Sequence, residues 1–342
     1  MTGIINIREY ERLSEGGSNW TEAFRAAVAA AAQAGGAMIF VPAGEYPTYP
    51  IRLESNMTLY LCAGARLSFI QNMDGYELIR TEFEGIAQDA HMACIFADHA
   101  HHVALKGDGI IDGGGEIWWK AVREGTLAHP RPYLICFQYC EHVRIEGVSL
   151  QNSPAWTVHP LYCEDVAITG ISVKNPWDSP NTDGINPDGC RNVRIYNCQV
   201  DVGDDCITLK SGTEKTPERR PLENVTITNC NMIHGHGGIV IGSEMSGGVR
   251  NVTVSNCVFQ NTDRGIRVKT RRRRGGTVEN LLLNNIVMDR VSCPFVFNMY
   301  YYCGPEGKER YVWDKEPYPV DEGTPVFRNI HISNVSVTDA AA

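Results

Sequence analysis

Short runs of alternating apolar and polar residues recur along most of the chain, and most end in Asn or Gly. Clear copies begin at Asn192 (N-V-R-I-Y-N-C), Asn224 (N-V-T-I-T-N-C) and Asn251 (N-V-T-V-S-N-C). From Asp165 to Asn280 successive copies start 27, 32, 27 and 29 residues apart. Alternation predicts strands, and a period in the twenties without helices predicts a solenoid rather than a propeller, whose period is nearer forty. We therefore predict an all-β fold, a single-stranded right-handed parallel β-helix.

One segment departs from this pattern. Residues 20–35 are rich in alanine, carry Phe24 and Val28 at helical spacing, and end in a Gly-Gly stop signal. The first coil of a solenoid exposes its interior and an unpaired strand edge, so this helix is expected to cap it. No other segment reads as clearly as a helix. We predict coils over about 37–338 and one domain over 1–342.

A second ladder joins distant residues. Four isoleucines follow Asp-Gly, Asp-Cys, Gly-Gly and Arg-Gly pairs at nearly the same steps: Ile185, Ile207, Ile239 and Ile266. If they stack as interior rungs, about 4.8 Å apart, then Asp183 lies one coil from Asp205. By the same rule His236 lies one coil above Asp204. The repeat thus predicts one patch built from separate motifs.

The predicted patch has the composition of a glycosidase site. Inverting hydrolysis needs a protonated carboxyl and a second carboxylate roughly 6.5–9.5 Å away to activate water. Asp183, Asp204 and Asp205 on two adjacent coils are expected to meet that distance, and their mutual repulsion raises one pKa. The alternative is that an Asp in a glycine-flanked turn only binds the backbone of its own bend. The stacking of all three beside basic residues favours chemistry.

The basic residues near the patch have two interpretations each. His236 is either a structural histidine or a partner that tunes Asp204, and its predicted position favours the second. Arg267 and Lys269 are either solvated or bind a substrate carboxylate, which arginine grips with paired hydrogen bonds. For the run 271–274, R-R-R-R, a solvated turn and a rim that attracts a polyanion are equally favoured.

Composition excludes several classes. The formal net charge of −9 argues against nucleic-acid binding, and no apolar run is long enough to span a membrane. The 12 cysteines lack short framework spacings and are expected to be buried free thiols. No zinc-like spacing occurs, so neither a metal nor a cofactor is expected. Because no signal peptide is visible, a cytoplasmic location is expected, or a secreted one if a leader has been removed.

Long segments between repeats are expected to build the binding face. They carry aromatic residues suited to sugar rings: Trp118, Trp119, Tyr133, Tyr300, Tyr301 and Tyr302.

The ordered motifs N-T-D, G-D-D, G-H-G and R-x-K resemble glycoside hydrolase family 28, the polygalacturonases and their relatives. The resemblance covers nearly the whole chain and implies a β-helix without cofactor. It implies Asp204 as general acid, with Asp183 and Asp205 holding the attacking water. The substrate-binding residues that it implies are Asn181, His236, Arg267 and Lys269, with Tyr300 or Tyr302 near the cleavage point.

Two positions depart from the family pattern. Asn186 stands where many bacterial relatives have Asp, and Val268 replaces the commoner Ile. Neither is expected to touch the catalytic groups. The retained G-H-G and R-x-K motifs favour a polygalacturonate-type substrate.

The sequence therefore predicts an inverting hydrolase of α-1,4-galacturonosyl linkages, exo-acting on oligogalacturonides or a related acidic oligosaccharide. The aromatic segments, expected to wall off one end of the cleft, and the missing signal peptide favour exo action. One alternative is a relative that removes a different sugar from a plant glycoside or a rhamnogalacturonan-type oligosaccharide. Others are a calcium-dependent β-helix lyase and a non-catalytic carbohydrate-binding β-helix.

Overall fold

Parallel strands wind around one elongated apolar core in a computed structural model that describes residues 3–341. The first seventeen strands are β1 (Gly3–Asn6), β2 (Ala37–Val41), β3 (Gly44–Thr48), β4 (Ile51–Leu53), β5 (Met57–Leu61), β6 (Ala65–Phe69), β7 (Leu78–Phe83), β8 (Ile86–His91), β9 (Ile95–Asp98), β10 (Ala104–Gly107), β11 (Ile110–Asp112), β12 (Ile135–Gln138), β13 (Glu141–Glu146), β14 (Ser149–Gln151), β15 (Val158–Leu161), β16 (Glu164–Thr169) and β17 (Ser172–Lys174). The remaining strands are β18 (Arg191–Tyr196), β19 (Gln199–Asp201), β20 (Asp205–Leu209), β21 (Leu222–Thr228), β22 (Asn231–His234), β23 (Gly237–Gly242), β24 (Val249–Gln260), β25 (Arg264–Lys269), β26 (Thr277–Asp289), β27 (Cys293–Asn298) and β28 (Val326–Thr338).

These strands form three faces. The first runs β1–β2–β5–β10–β13–β16–β18–β21–β24–β26–β28, and the second runs β3–β6–β11–β14–β17–β19–β22 before joining β24. The third runs β4–β9–β12–β15, continues through bridges at Ile185 and Asp188, and ends β20–β23–β25–β27. Every pairing on the three faces is parallel, which confirms the predicted right-handed parallel β-helix.

Helices occur where the repeat is interrupted. α1 (Thr21–Gln33) buries Phe24 and Val28 over the first coil, as predicted for the cap. Strand β1 precedes this helix and pairs with β2, so the sheet begins before residue 37. Two further helices, α2 (Glu116–Glu124) and α3 (Arg310–Trp313), lie in long connections and were not predicted. Short 3₁₀ segments cover Ile7–Leu13, Glu15–Gly17, Met73–Gly75 and Pro305–Lys308. Within residues 3–341 none of the helices could cross a membrane.

An asparagine ladder fixes a recurring bend within the strands of the first face. Asn224, Asn251, Asn280 and Asn329 each have positive φ, near 57°, and each side-chain amide donates to the asparagine carbonyl one coil earlier. Asparagine tolerates this left-handed conformation better than other non-glycine residues. The repeat unit visible in the sequence is therefore a stack of hydrogen-bonded bends.

The interior contains the predicted isoleucine ladder. Ile185 bridges to Ile207, which pairs with Ile239 and then with Ile266, and all four are buried. All twelve cysteines are free thiols, and ten of them are buried, as predicted.

Strands β7 and β8 form an antiparallel hairpin that lies outside the β-helix and covers part of its third face. A second, smaller apolar cluster fills the space beneath it: Met92, Ala93, Phe96, Tyr133, Cys136, Ala155 and Trp156, with Ile79 and Phe83 packed against it.

Candidate active site

Three carboxylates meet where the third face passes from β15 to β20. Asp183 lies two residues before the rung of Ile185, and Asp204 and Asp205 lie at the start of β20. One carboxylate oxygen from each lies within 4.8 Å of the other two. Asp183 and Asp205 are buried, whereas Asp204 is partly accessible. The ladder thus brings together the three residues that the sequence singled out.

Asp205 is held by the two basic residues of the R-x-K motif. Lys269 Nζ donates to its Oδ2 at 2.6 Å, and Arg267 Nη1 lies 3.7 Å from its Oδ1. Within the described part of the chain, Oδ1 is buried and accepts no hydrogen bond. Since buried polar atoms are normally paired, this oxygen is an acceptor available to a water molecule or a ligand.

Asp183 is fully enclosed. Its Oδ2 accepts hydrogen bonds from Asn186 Nδ2 at 3.0 Å and Thr208 Oγ1 at 3.5 Å, and Lys210 Nζ lies 4.0 Å away. Burial, with the negative charge of Asp204, raises the pKa of Asp183 well above its usual value despite Lys210. The expectation that Asn186 does not touch a catalytic group is wrong. An amide at this position donates to Asp183, whereas a carboxylate would add a like charge.

His236 contacts Asp204, as the repeat predicted. Its Nδ1 lies 3.1 Å from Asp204 Oδ1, which also accepts the backbone N–H of Asp205 at 2.9 Å. Burial opposes ionisation of Asp204, but the hydrogen bond from His236 and the charge of Lys269 outweigh it and lower the pKa of Asp204. The same hydrogen bond raises the pKa of His236. These opposite shifts favour a proton on Asp183 over one on Asp204.

Lys210 connects the acidic cluster to a buried ion pair. Its Nζ donates to Glu244 at 2.7 Å and lies 4.3 Å from the ring centroid of Trp156. Burial opposes its charge, but Glu244 and Asp183 outweigh this effect and raise the pKa of Lys210. Burial also opposes the charge of Glu244, yet Lys210 lowers the pKa of Glu244 to about 2. Neither residue was predicted, although Lys210 directly follows the strand that carries Asp205.

Tyr301, rather than Tyr300 or Tyr302, approaches the R-x-K motif. Its ring centroid lies 5.1 Å from the Arg267 guanidinium carbon and 5.3 Å from Lys269 Nζ. Tyr300 instead lies against Arg272, and Tyr302 is exposed. The chain reverses at this point, so the middle tyrosine of the run faces the cleft.

The arginine run is neither a solvated turn nor a free rim. Arg271 and Arg274 are buried, and both bind Glu214, Arg271 at 2.5 Å and Arg274 at 2.7 Å. Arg272 donates to main-chain carbonyls between residues 311 and 316, and the Arg273 guanidinium lies 4.0 Å from the Tyr311 ring centroid. These contacts fasten the connection that follows β27 to the solenoid and to the 211–221 loop.

Three of the six expected sugar-binding aromatics are buried. Trp118 and Trp119 lie inside α2, and Tyr133 lies in the second apolar cluster, so none is free to stack on a sugar. Trp177, which was not predicted as a site residue, is 81% exposed. It lines an open groove of about 670 Å³ that also contains Asn181.

This groove is bounded at its base by the catalytic candidates Asp204 and His236. Asn181 is held there because its Oδ1 accepts from Arg131 Nη2 at 2.8 Å. One oxygen from each of the three carboxylates lies within 4.8 Å of the other two, whereas the sequence predicts roughly 6.5–9.5 Å between the acid and base carboxyl groups. The stereochemistry of the reaction therefore does not follow from the spacing.

A family model, "Glycosyl hydrolases family 28", matches residues 75–310. A probable polygalacturonase of Vitis vinifera is 34% identical over 97% of this chain and 69% of its own length. The structure of an exopolygalacturonase from Thermotoga maritima has a TM-score of 0.85 and 31% identity, covering 98% of this chain and 80% of that one. A family 28 exopolygalacturonase from Yersinia enterocolitica shares the fold, with a TM-score of 0.86 at 22% identity over 100% of this chain and 67% of that one. From the family model and these relatives, we conclude that the chain belongs to glycosyl hydrolases family 28.

Proposed function

We propose that this protein is an inverting hydrolase of α-1,4-galacturonosyl linkages that removes residues from the end of oligogalacturonides. The observation that carries the exo assignment is that the third face is open on one side of the acidic cluster and filled on the other. An acid cluster flanked by cations suits an acidic sugar polymer, because Arg267 and Lys269 offer donors to a substrate carboxylate.

The filled side consists of aromatic rings under the β7–β8 hairpin. Phe83 stacks on Tyr133, and Tyr133 stacks on Trp156, with centroids 5.2 Å apart in both pairs. Trp156 in turn lies beneath Lys210. A sugar chain cannot extend across this surface, because side chains already occupy it up to the edge of the acidic cluster.

The open side is the groove that contains Trp177 and Asp204. If Asp204 is the general acid, the leaving group lies against it in this groove, and the attacked ring lies on the enclosed side near Asp183. Only a chain end fits such a site. The name of the Thermotoga maritima relative, an exopolygalacturonase, is consistent with this arrangement.

In the proposed reaction, different aspartates donate and accept the two protons. Asp204 donates a proton to the leaving oxygen while Asp183 and Asp205 accept one from water. For this role Asp204 needs a higher pKa than its contacts with His236 and Lys269 give it. A bound sugar excludes water from Asp204 and so raises its pKa, and ionisation of Asp183 adds a like charge. His236 keeps the carboxyl oriented through the 3.1 Å contact.

Product analysis tests the proposal. Trigalacturonate and polygalacturonate should both yield galacturonate first, and Asp204→Asn should slow its release by about 10³-fold. Mixed oligomers at early times would refute exo action. Proton NMR should detect the β-anomer first, whereas early α-anomer would refute inversion. An unsaturated product, or loss of activity in chelator, would indicate a lyase instead.

A cytoplasmic location stays a prediction, which cell fractionation tests.

A further inference from the structure

The tip of the β7–β8 hairpin is a two-residue turn, Glu84-Gly85. Phe83 and Ile86 form the last pair, and both turn residues have positive φ, 51° and 72°. Turns of this type favour Asn, Asp or Gly at the first position, because longer side chains are strained there. Residues held in such strained backbone conformations cluster at functional sites, which makes the Glu84 side chain a candidate for a functional role.

The turn is held by the 211–221 loop and by Tyr133. Thr213 Oγ1 and Thr216 Oγ1 donate to the Gly85 carbonyl at 3.1 and 2.6 Å, and the Glu84 N–H donates to Tyr133 Oη at 3.4 Å. A Cβ at Gly85 would lie 2.6 Å from the Thr213 methyl group. The backbone of the turn is therefore positioned by both neighbouring segments.

The Glu84 carboxylate has no hydrogen-bond or ion-pair partner among residues 3–341. Its side chain is exposed, and the backbone N–H of Glu84 donates to Tyr133, one of the rings on the filled side of the cluster. Desolvation by nearby protein, with the charges of Glu244 and Asp204, raises the pKa of Glu84 despite Lys210 and Arg131. A carboxylate without a partner lies at the enclosed end of the site, on the side where the attacked ring is proposed to bind.

The nearby cations are already committed. Lys210 binds Glu244 at 2.7 Å, and Arg131 donates to the carbonyls of Pro154 and Pro180 at 2.8 and 2.7 Å. Glu84 therefore remains free to accept a hydrogen bond. It repels a substrate carboxylate, so the group that it suits is a hydroxyl.

A hydroxyl at C4 distinguishes the end of the substrate chain. In an interior residue O4 belongs to the glycosidic bond and carries no hydrogen, whereas the non-reducing terminal residue has a free 4-hydroxyl. We propose that Glu84 accepts a hydrogen bond from this hydroxyl and so selects saturated non-reducing ends. This inference rests on the proposed exo function and adds a specificity-determining residue to it.

The test compares digalacturonate with its 4,5-unsaturated counterpart, which lacks the 4-hydroxyl. Wild-type kcat/KM should be about 10- to 100-fold higher on the saturated substrate, the range for one hydrogen bond to a charged group. Glu84→Ala should lower kcat/KM on the saturated substrate by that factor and leave the unsaturated one within about threefold. Glu84→Gln, which keeps an acceptor, should restore part of the preference. Glu77→Ala, an exposed carboxylate at the foot of the same hairpin, is the matched control.

Equal wild-type activity on the two substrates, or an equal loss on both in Glu84→Ala, would overturn the assignment. Calorimetry with galacturonate and its 4-deoxy analogue separates this inference from the proposed function. Binding that depends on the 4-hydroxyl and on Glu84, without hydrolysis, would refute only the proposed function. Equal affinity for both sugars would refute the role of Glu84.

Discussion

Replacement of Lys210 by methionine should move the acid limb of the pH–activity profile towards higher pH. Lys210 Nζ lies 4.0 Å from Asp183, the buried carboxylate that we propose as the base and that can accept a proton only when ionised. At this distance two unit charges interact by about 1 kcal/mol in water and about 4 kcal/mol at an effective dielectric constant of about 20. Loss of the cation should therefore raise the pKa of Asp183 by about one to three units. A carboxylate with a higher pKa is ionised only at higher pH, so activity is lost first on the acid side.

The assay is kcat/KM for trigalacturonate as a function of pH. Lys210→Met alone leaves Glu244 buried without its partner and destabilises the fold, so the double variant with Glu244→Gln should recover stability while keeping the shifted limb. Lys106→Met, which removes an exposed pair with Glu146, is the matched control and should not move the profile. An unchanged acid limb in a folded Lys210→Met variant would refute the assignment of Asp183 as the base.

Three further outcomes are expected. Asp204→Asn should lower kcat by about 10³-fold with an unchanged near-UV circular dichroism spectrum, and residual activity within tenfold of wild type would exclude a general acid. Trp177→Ala should raise KM for trigalacturonate about fivefold by removing a stacking surface in the groove, whereas Trp313→Ala, at another exposed site outside the groove, should not. Arg271→Met should lower the urea-derived free energy of unfolding by about 3 kcal/mol, because it leaves Glu214 without this partner. Glu214→Gln in that background should recover part of the loss. Equal stability of the wild type and both variants would contradict a stabilising role of the Arg271–Glu214 ion pair.

Most of the fold could be predicted because each coil repeats one pattern. Alternation and the spacing of Asn192, Asn224 and Asn251 indicate strands and turns, and the isoleucine ladder sets the register. Once the register is known, the proximity of Asp183 to Asp205 follows from geometry alone. The sequence therefore predicted the residues that lie directly on the repeat.

The connections between coils were not predictable in the same way. Tyr301 faces Arg267 because Arg271 and Tyr300 form an antiparallel bridge, which nothing in the repeat requires. Trp177 lies in a non-repeating segment, so no neighbour fixes its position in advance. The contact of Asn186 with Asp183 was not predicted, because it depends on the direction in which each side chain points from a short bend.

The asparagine ladder tolerates a large detour of the chain. Asn280 lies 29 residues after Asn251 and Asn329 lies 49 residues after Asn280, yet the amide contacts are 3.1 and 3.2 Å. The additional residues thus leave the pitch of the scaffold unaltered. The connections between coils that enclose the site can therefore be redesigned in length and composition to accept other polymers, while Asp183, Asp204 and Asp205 keep their spacing.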